Sequence, residues 1–395
     1  MRLGLFTDSY LPSVDGCVTS ILGQRAELEA RGHEVTIFAP GNREAQAKVR
    51  DPRVVFYDAV PWSAYPDYYL PVFPARVRRR VRERGIELIH SHGVAMMGLR
   101  AVWAAKALKL PLLLTYHTRV DEGARYVVRP GLPEQTLRKL IWVNLRWYFR
   151  RSHAVIAPSE AIRRHLLENS RGWLQRCVVI PNGVDFDRFS HPDAGAIERF
   201  GLEDKTLFLT AGRIAFEKNL EVLFEAVPKI AAKVEDAHFV IAGKGPARAA
   251  YERLVKARGL QDRVTFMGYV TDGELAGLYR AATAFVTPSS FETQGMVALE
   301  AMHVGTPVVC PATGGFTDYL RHRGNGYLVE PGSADELALG AFDAVGAPPR
   351  LRDAARATAA QFSLGRCVDR LEQLYAGARE GRVPEELEQP IPIPA

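Results

Sequence analysis

Short apolar runs alternate with helical stretches along the whole 395-residue chain, and this alternation constrains the fold more than any other feature. In the first half RLGLF (2–6), EVTIF (34–38), RVVFY (53–57), IELIH (86–90), LPLLLTY (110–116), HAVIA (153–157) and CVVIPNG (177–183) read as strands. Several are almost wholly apolar, as strands covered on both faces must be. Helical patterns lie between them at 17–31, 94–108, 133–151 and 159–169. The second half repeats the plan with TLFLTAG (206–212), HFVIAGKG (238–245), RVTFMG (263–268), TAFVTPS (283–289), TPVVCP (306–311) and GYLVEPG (326–332), followed by largely helical sequence at 333–346 and 349–380. Strands alternating with helices predict parallel, doubly wound sheets.

A chain of this length exceeds one ordinary core. The turn-rich stretch PNGVDFDRFSHPDAG (181–195) is the natural boundary. The fold class predicted is α/β, with two Rossmann-like doubly wound domains facing a central cleft. Residues 1–180 form the first domain and 181–365 the second; 366–395 supply a C-terminal helix and a Pro-rich tail that pack back on the first. Open α/β sheets bind ligands beyond the carboxyl ends of their strands.

No apolar run reaches the length of a membrane span, and the N-terminal one stops at Phe6, so it reads as a first strand and not as a signal peptide. The four cysteines, Cys17, Cys177, Cys310 and Cys367, show no zinc or redox spacing and read as reduced cytosolic thiols. Charge is uneven: residues 1–180 hold 28 Lys+Arg against 16 Asp+Glu, and residues 181–395 hold 23 against 29. The basic half is suited to an anionic partner, for which nucleic acid and an anionic membrane are candidates.

The stretch FETQGMVALEAM (291–302) follows a strand and holds two acids, Glu292 and Glu300. Gly295 lets backbone approach a ligand, and the helix that starts there offers free N–H groups to a phosphate. A helical rise of about 1.5 Å per residue would set the acids roughly 12 Å apart, too far to share a proton or a metal. They suit hydroxyls at the two ends of a nucleotide sugar, with its diphosphate between. The apolar setting of Glu300 predicts burial and hence a partner. In GRIAFEKN (212–219) Arg213 and Lys218 can neutralise that diphosphate without a metal. GKGP (243–246) places Gly243 in a tight turn after a strand. In TDSYLPSVDGCVTS (7–20), Gly16 can admit a phosphate, and Asp8 and Asp15 can orient an acceptor. His117, after the strand LPLLLTY, can hydrogen-bond the transferred sugar. Asp185 and Asp187 have a metal-binding D-x-D spacing, but they sit in the linker, where a turn explains them better.

In PARVRRRVRERG (74–85), Arg76, Arg78, Arg79, Arg80 and Arg82 crowd one helix, with Phe73, Val77 and Val81 as an apolar stripe. An aromatic-rich stretch, WSAYPDYYLPVF (62–73), precedes it. The pattern reads as a membrane-interface element, and LRKLIWVNLRWYFRR (137–151) adds Trp142 and Trp147 to the same half.

GRIAFEKN, GKGP, FETQGMVALEAMHVGTPVV and PNGVD, in the chain as they stand, resemble the retaining GT-B glycosyltransferases of family 4, over essentially the whole length. TDSYLPSVDG, TYHTRVDEG and ETQG are most similar to the bacterial diacylglycerol α-glucosyltransferases, peripheral membrane enzymes that use UDP-glucose. The resemblance implies that Glu292 touches the donor hexose, Glu300 the ribose, Arg213 and Lys218 the diphosphate, and the backbone at Gly295, Met296 and Val297 the distal phosphate. His117 matches the family histidine near the sugar 6-hydroxyl. One departure is that Cys17 follows Gly16 where many relatives carry a second glycine.

The implied reaction moves a hexose, glucose first, from a UDP-sugar to a membrane lipid such as diacylglycerol, with no cofactor or metal. The implied location is the inner face of the cell membrane, with an anionic surface as partner and no nucleic acid. GDP-mannose as donor, a soluble acceptor, a nucleotide-sugar epimerase and a nucleic-acid binder are the alternatives.

Overall fold

The computed structural model of the chain describes residues 1–12, 15–62, 65–71, 76–122, 133–193, 195–389 and 391. Its internal contacts divide it into two compact domains: Met1–Gly183 with Leu364–Ile391, and a second whose described part is Val184–Ser363.

The first domain is built on β1 (Arg2–Phe6), β2 (Glu34–Gly41), β3 (Val54–Trp62), β4 (Tyr65–Pro71), β5 (Leu88–Ser91), β6 (Leu112–Thr115), β7 (Ala154–Ala157) and β8 (Cys177–Val179). They lie in the order β4-β3-β2-β1-β5-β6-β7-β8, and every neighbouring pair is parallel except β3 with β4. Helices α1 (Gly16–Ala30), α2 (Arg43–Lys48), α3 (Val77–Glu83), α4 (Met96–Leu108), α5 (Glu134–Phe149) and α6 (Glu160–Ser170) connect them. Each strand's alternation splits the core in two. Phe6, Phe38, Ile89 and Leu114 face α3, α4, α5 and α6, while Leu5, Ile37, Leu88 and Leu113 face the other side.

Strand β4 corrects the reading of the aromatic stretch as a free interface element: 65–71 is the antiparallel edge of the sheet. Its two prolines are tolerated there because an edge strand need not donate on both sides. Val77 and Val81 correct the membrane stripe of α3, since both are buried in the sheet-facing core. Phe73 and Pro74 lie outside the described residues.

The second domain holds β9 (Thr206–Ala211), β10 (Ala237–Ala242), β11 (Val264–Gly268), β12 (Ala284–Val286), β13 (Val308–Pro311) and β14 (Tyr327–Val329), in the order β11-β10-β9-β12-β13-β14, all parallel. Its helices are α7 (Ala196–Arg199), α8 (Leu220–Ala231), α9 (Arg248–Ala257), α10 (Asp272–Ala281), α11 (Met296–Val304), α12 (Phe316–Tyr319), α13 (Ala334–Val345) and α14 (Pro349–Ala360). The helical stretch predicted over 349–380 is two helices: the chain breaks at 361–363, where Val184 and Ser363 form an isolated parallel bridge, and restarts as α15 (Leu364–Arg379). Helix α15 belongs to the first domain. Arg31 binds both Asp369 and Glu372 at 2.6 Å, and Val368, Leu371 and Leu374 enter the core behind α1. The four cysteines are free thiols, and no described helix is long and apolar enough to cross a membrane.

Candidate active site

In each sheet the strand order reverses direction at one place, and there the strand ends leave a crevice for a ligand. In the second domain the reversal falls between β9 and β12. The loop after β9 carries Arg213 and Lys218; the loop after β12 carries Glu292. Lys218 Nζ donates to Glu292 Oε1 at 2.6 Å across the reversal, with both side chains partly exposed. Arg213 is joined to Glu217 one turn on. Lys218 and Glu292 therefore meet as an ion pair, while Arg213 pairs with Glu217, a member that the motif did not single out.

Local backbone explains why these loops come together. Gly212 and Gly243 both have positive φ (123° and 147°), and a Cβ on Gly243 would overlap the Gly212 carbonyl. Gly243 thus lets the tips of β9 and β10 touch. Gly295 sits at φ 81° as the cap of α11, with its carbonyl fixed by the Tyr319 hydroxyl at 3.1 Å; a Cβ there would overlap the Phe316 ring. Only glycine meets both conditions. Helix α11 begins at Met296, so the backbone N–H groups of Met296 and Val297 are among those left without helical acceptors. Glu292 lies outside that helix, which corrects the helical spacing assumed between the two acids. Gly314 and Gly315 are a further part that the motif reading passed over. A Cβ on either would strike the 292–294 backbone, and Gly315 N–H donates to the Glu292 carbonyl at 3.1 Å. Their signal was a double glycine at the carboxyl end of β13.

Glu300 is 6% exposed and takes a hydrogen bond from the Tyr279 hydroxyl at 2.8 Å, the partner its apolar setting demanded. Burial pushes its carboxyl up, against the Tyr279 bond and the Arg188 guanidinium. Asp185 caps a 3-10 turn by accepting from Asp187 N–H at 3.1 Å, so the D-x-D spacing is turn chemistry. Among the described residues no cluster of three or more His, Cys, Asp or Glu is arranged to hold a metal ion.

In the first domain the reversal falls between β1 and β5. Gly16 opens α1, capped by Asp15, and a Cβ on it would meet nothing within 4 Å. Asp8 anchors a helix: its carboxylate accepts from Ala95 N–H at 2.9 Å and Met97 N–H at 2.7 Å at the start of α4. Burial raises its carboxyl despite those bonds. His117 is not alone. Its Nε2 meets His92 Nδ1 at 2.8 Å, and the His92 ring stacks near His90 with centroids 4.1 Å apart. His90 in turn bonds the Tyr375 hydroxyl at 2.8 Å and Thr115 at 2.7 Å. Burial drives all three imidazoles down, His90 to about 3 and His117 to about 4, so each is neutral at pH 7. His90 and His92 were legible as an H-S-H pair at a strand's carboxyl end, a signal left unused.

Arg76, Arg78, Arg79, Arg80 and Arg82 are exposed around α3. Trp142 corrects the second interface element, being 6% exposed and part of the core; Trp147 packs partly against that core.

Two family models divide the chain, glycosyltransferase family 4 over residues 14–188 and glycosyl transferases group 1 over 196–360. The D-inositol 3-phosphate glycosyltransferase of Xylanimonas cellulosilytica is 33% identical over 387 residues, 90% of either chain. The chain is a family 4 glycosyltransferase. This family 4 enzyme is also 30% identical to the alpha-monoglucosyldiacylglycerol synthase of Streptococcus pneumoniae, over 78% of this chain and 70% of that one. Sucrose-phosphate synthase from Thermosynechococcus elongatus superposes with a TM-score of 0.76 at 25% identity, over 95% and 98% of the two chains. Anabaena HepE in complex with UDP-glucose does so at 0.75 and 18%, over 95% and 99%, a likeness of fold. The fold is GT-B, with two Rossmann-like domains in one chain.

Proposed function

We propose that this glycosyltransferase is a retaining hexosyltransferase that moves glucose from UDP-glucose to a membrane lipid acceptor such as diacylglycerol. The reading rests on the second domain's switch point, where the 2.6 Å Lys218–Glu292 pair stands at adjacent strand tips. A diphosphate is a stronger anion than a carboxylate. On arrival it draws Lys218 and Arg213 to itself and frees Glu292 to accept from sugar hydroxyls. The N–H groups at Met296 and Val297 meet the distal phosphate, and Glu300 is the ribose acceptor. The C1–phosphate bond breaks, the acceptor oxygen bonds C1 from the same face, and the acceptor's proton passes to the departing phosphate oxygen. No metal or cofactor takes part. His117, neutral and held through His92, contributes orientation and not charge.

The lipid acceptor is supported by the likeness to alpha-monoglucosyldiacylglycerol synthases and by the exposed arginines of α3, which suit an anionic membrane surface on its inner, cytoplasmic side. A soluble acceptor is the second reading, favoured by the full-length likeness to the inositol-phosphate enzyme. Radiolabelled UDP-glucose, UDP-galactose and GDP-mannose, each incubated with diacylglycerol in vesicles and with inositol phosphate, separate the two. Label entering the organic phase from UDP-glucose, and lost in Lys218→Ala, is the expected result. Label confined to a water-soluble product, or drawn only from GDP-mannose, overturns it.

A further inference from the structure

The basic charge of the first domain's long helices is concentrated in one layer. Helices α3, α4, α5 and α6, which share one face of the sheet, carry eleven Lys+Arg against four acids; α1 and α15 on the other face carry four against four. Within the basic layer α5 has two apolar faces. Trp142, Leu145, Tyr148 and Phe149 point to the core. Leu140 and Val143, 56% and 62% exposed, stand three residues apart on the opposite side, with Trp147, half-buried against the core, at their edge. Lys139, Arg150 and Arg151 border that outer stripe, the Arg151 guanidinium standing 4.1 Å from the Trp147 ring centroid. The only acid in α5 is Glu134, at its first turn.

An outward apolar stripe edged by cations, with a tryptophan at its rim, has the composition of a helix that lies in a bilayer interface. A second copy of this chain on the same face would bring two basic layers together, whereas anionic headgroups neutralise the layer they meet. We propose that the outer face of α5, through Leu140 and Val143 with Trp147 at their edge, dips into the headgroup and acyl boundary of an anionic bilayer, while the α3 arginines engage the headgroups beside it. The inserting element is thus α5, and α3, its own valines sealed in the core, acts by charge alone. This deepens the lipid-acceptor reading and rests on it.

The test is sedimentation of the full chain with vesicles of phosphatidylcholine, alone or mixed with phosphatidylglycerol. The wild type is expected to sediment with the mixed vesicles. Leu140→Ser with Val143→Ser should lower vesicle affinity at least about tenfold, as loss of two inserted aliphatic side chains implies, with the unfolding midpoint unchanged. Leu339→Ser with Phe342→Ser, at exposed positions of α13 in the second domain, should bind as wild type. Wild type that stays in the supernatant, or a Leu140/Val143 variant that sediments as wild type, overturns the proposal. So does light scattering that finds a wild-type dimer and a monomeric variant. If the variant loses vesicles while wild type moves no glucose onto lipid, the α5 surface stands and the acceptor reading falls.

Discussion

The two switch points are built from opposite materials. In the second domain the crevice holds paired charges, Lys218 with Glu292 and Arg213 with Glu217, in partly exposed loops. In the first it holds neutral histidines stacked behind one another and an Asp8 spent on a helix terminus. Ion pairs in reach of water exchange partners readily, so the first kind of site suits an arriving anion. Buried neutral rings hold geometry without charge, so the second suits hydroxyl groups. A doubly wound sheet serves both because the chemistry sits on the loops at its strand tips.

The sharpest way to break this contrast is Lys218→Ala. With the Lys218 cation removed from Glu292, kcat/KM should fall about 10²- to 10³-fold, as for loss of one preorganised charge on a leaving group. The folding midpoint should barely move, since a partly exposed pair contributes roughly 0–1 kcal/mol. Turnover within about threefold of wild type would remove the second switch point as the donor site.

Glycines that open a helix at each switch point give the next comparison. Gly295→Ala meets the Phe316 ring and a positive φ, and should cost about 2–3 kcal/mol in urea unfolding. Gly16→Ala meets open space and should stay within about 0.5 kcal/mol. Equal costs would show that the two helix starts are equally crowded, against the geometry described.

The histidine stack predicts a pH dependence of its own. Folded His90 stays neutral down to about pH 3, whereas the unfolded chain takes up its proton near the usual 6.5. Its depressed value therefore lowers stability as pH falls from about 6.5 toward 3, by about 2 kcal/mol at pH 5 relative to pH 8 for this residue alone. Urea melts of wild type and His90→Asn across that range check it; parallel curves would mean that His90 is not buried as drawn. A smaller effect than that of the histidines is expected of Tyr279→Phe. It leaves the Glu300 carboxylate without its donor, costs about 1 kcal/mol, and should raise KM for the donor more than it lowers kcat.

Particular residues show where sequence reading reached and where it stopped. Strand β1 was legible to the residue, and Glu300 was legible as a buried acid, because an apolar run states its own burial. The same logic misassigned Val77, Val81 and Trp142. An amphipathic helix announces an apolar face, but a basic opposite face says nothing of whether the apolar side meets a sheet or a bilayer. The stretch 137–151 reads as an interface element through Trp142 and Trp147, but with apolar residues on two sides its pattern does not say which side meets the core, so Leu140 and Val143 went unnamed. Gly314 and Gly315 carried no signal beyond their doubling, since their use depends on a loop some twenty residues earlier folding against them.

By itself, then, the chain's period of apolar residues determined two parallel sheets and the loops that end at their tips, because strand and helix periods are local properties of successive side chains. Which tips adjoin, which cation meets which carboxylate, and which of two apolar faces reaches solvent were decided only by tertiary structure, because these depend on strand order and on neighbours far away in the chain.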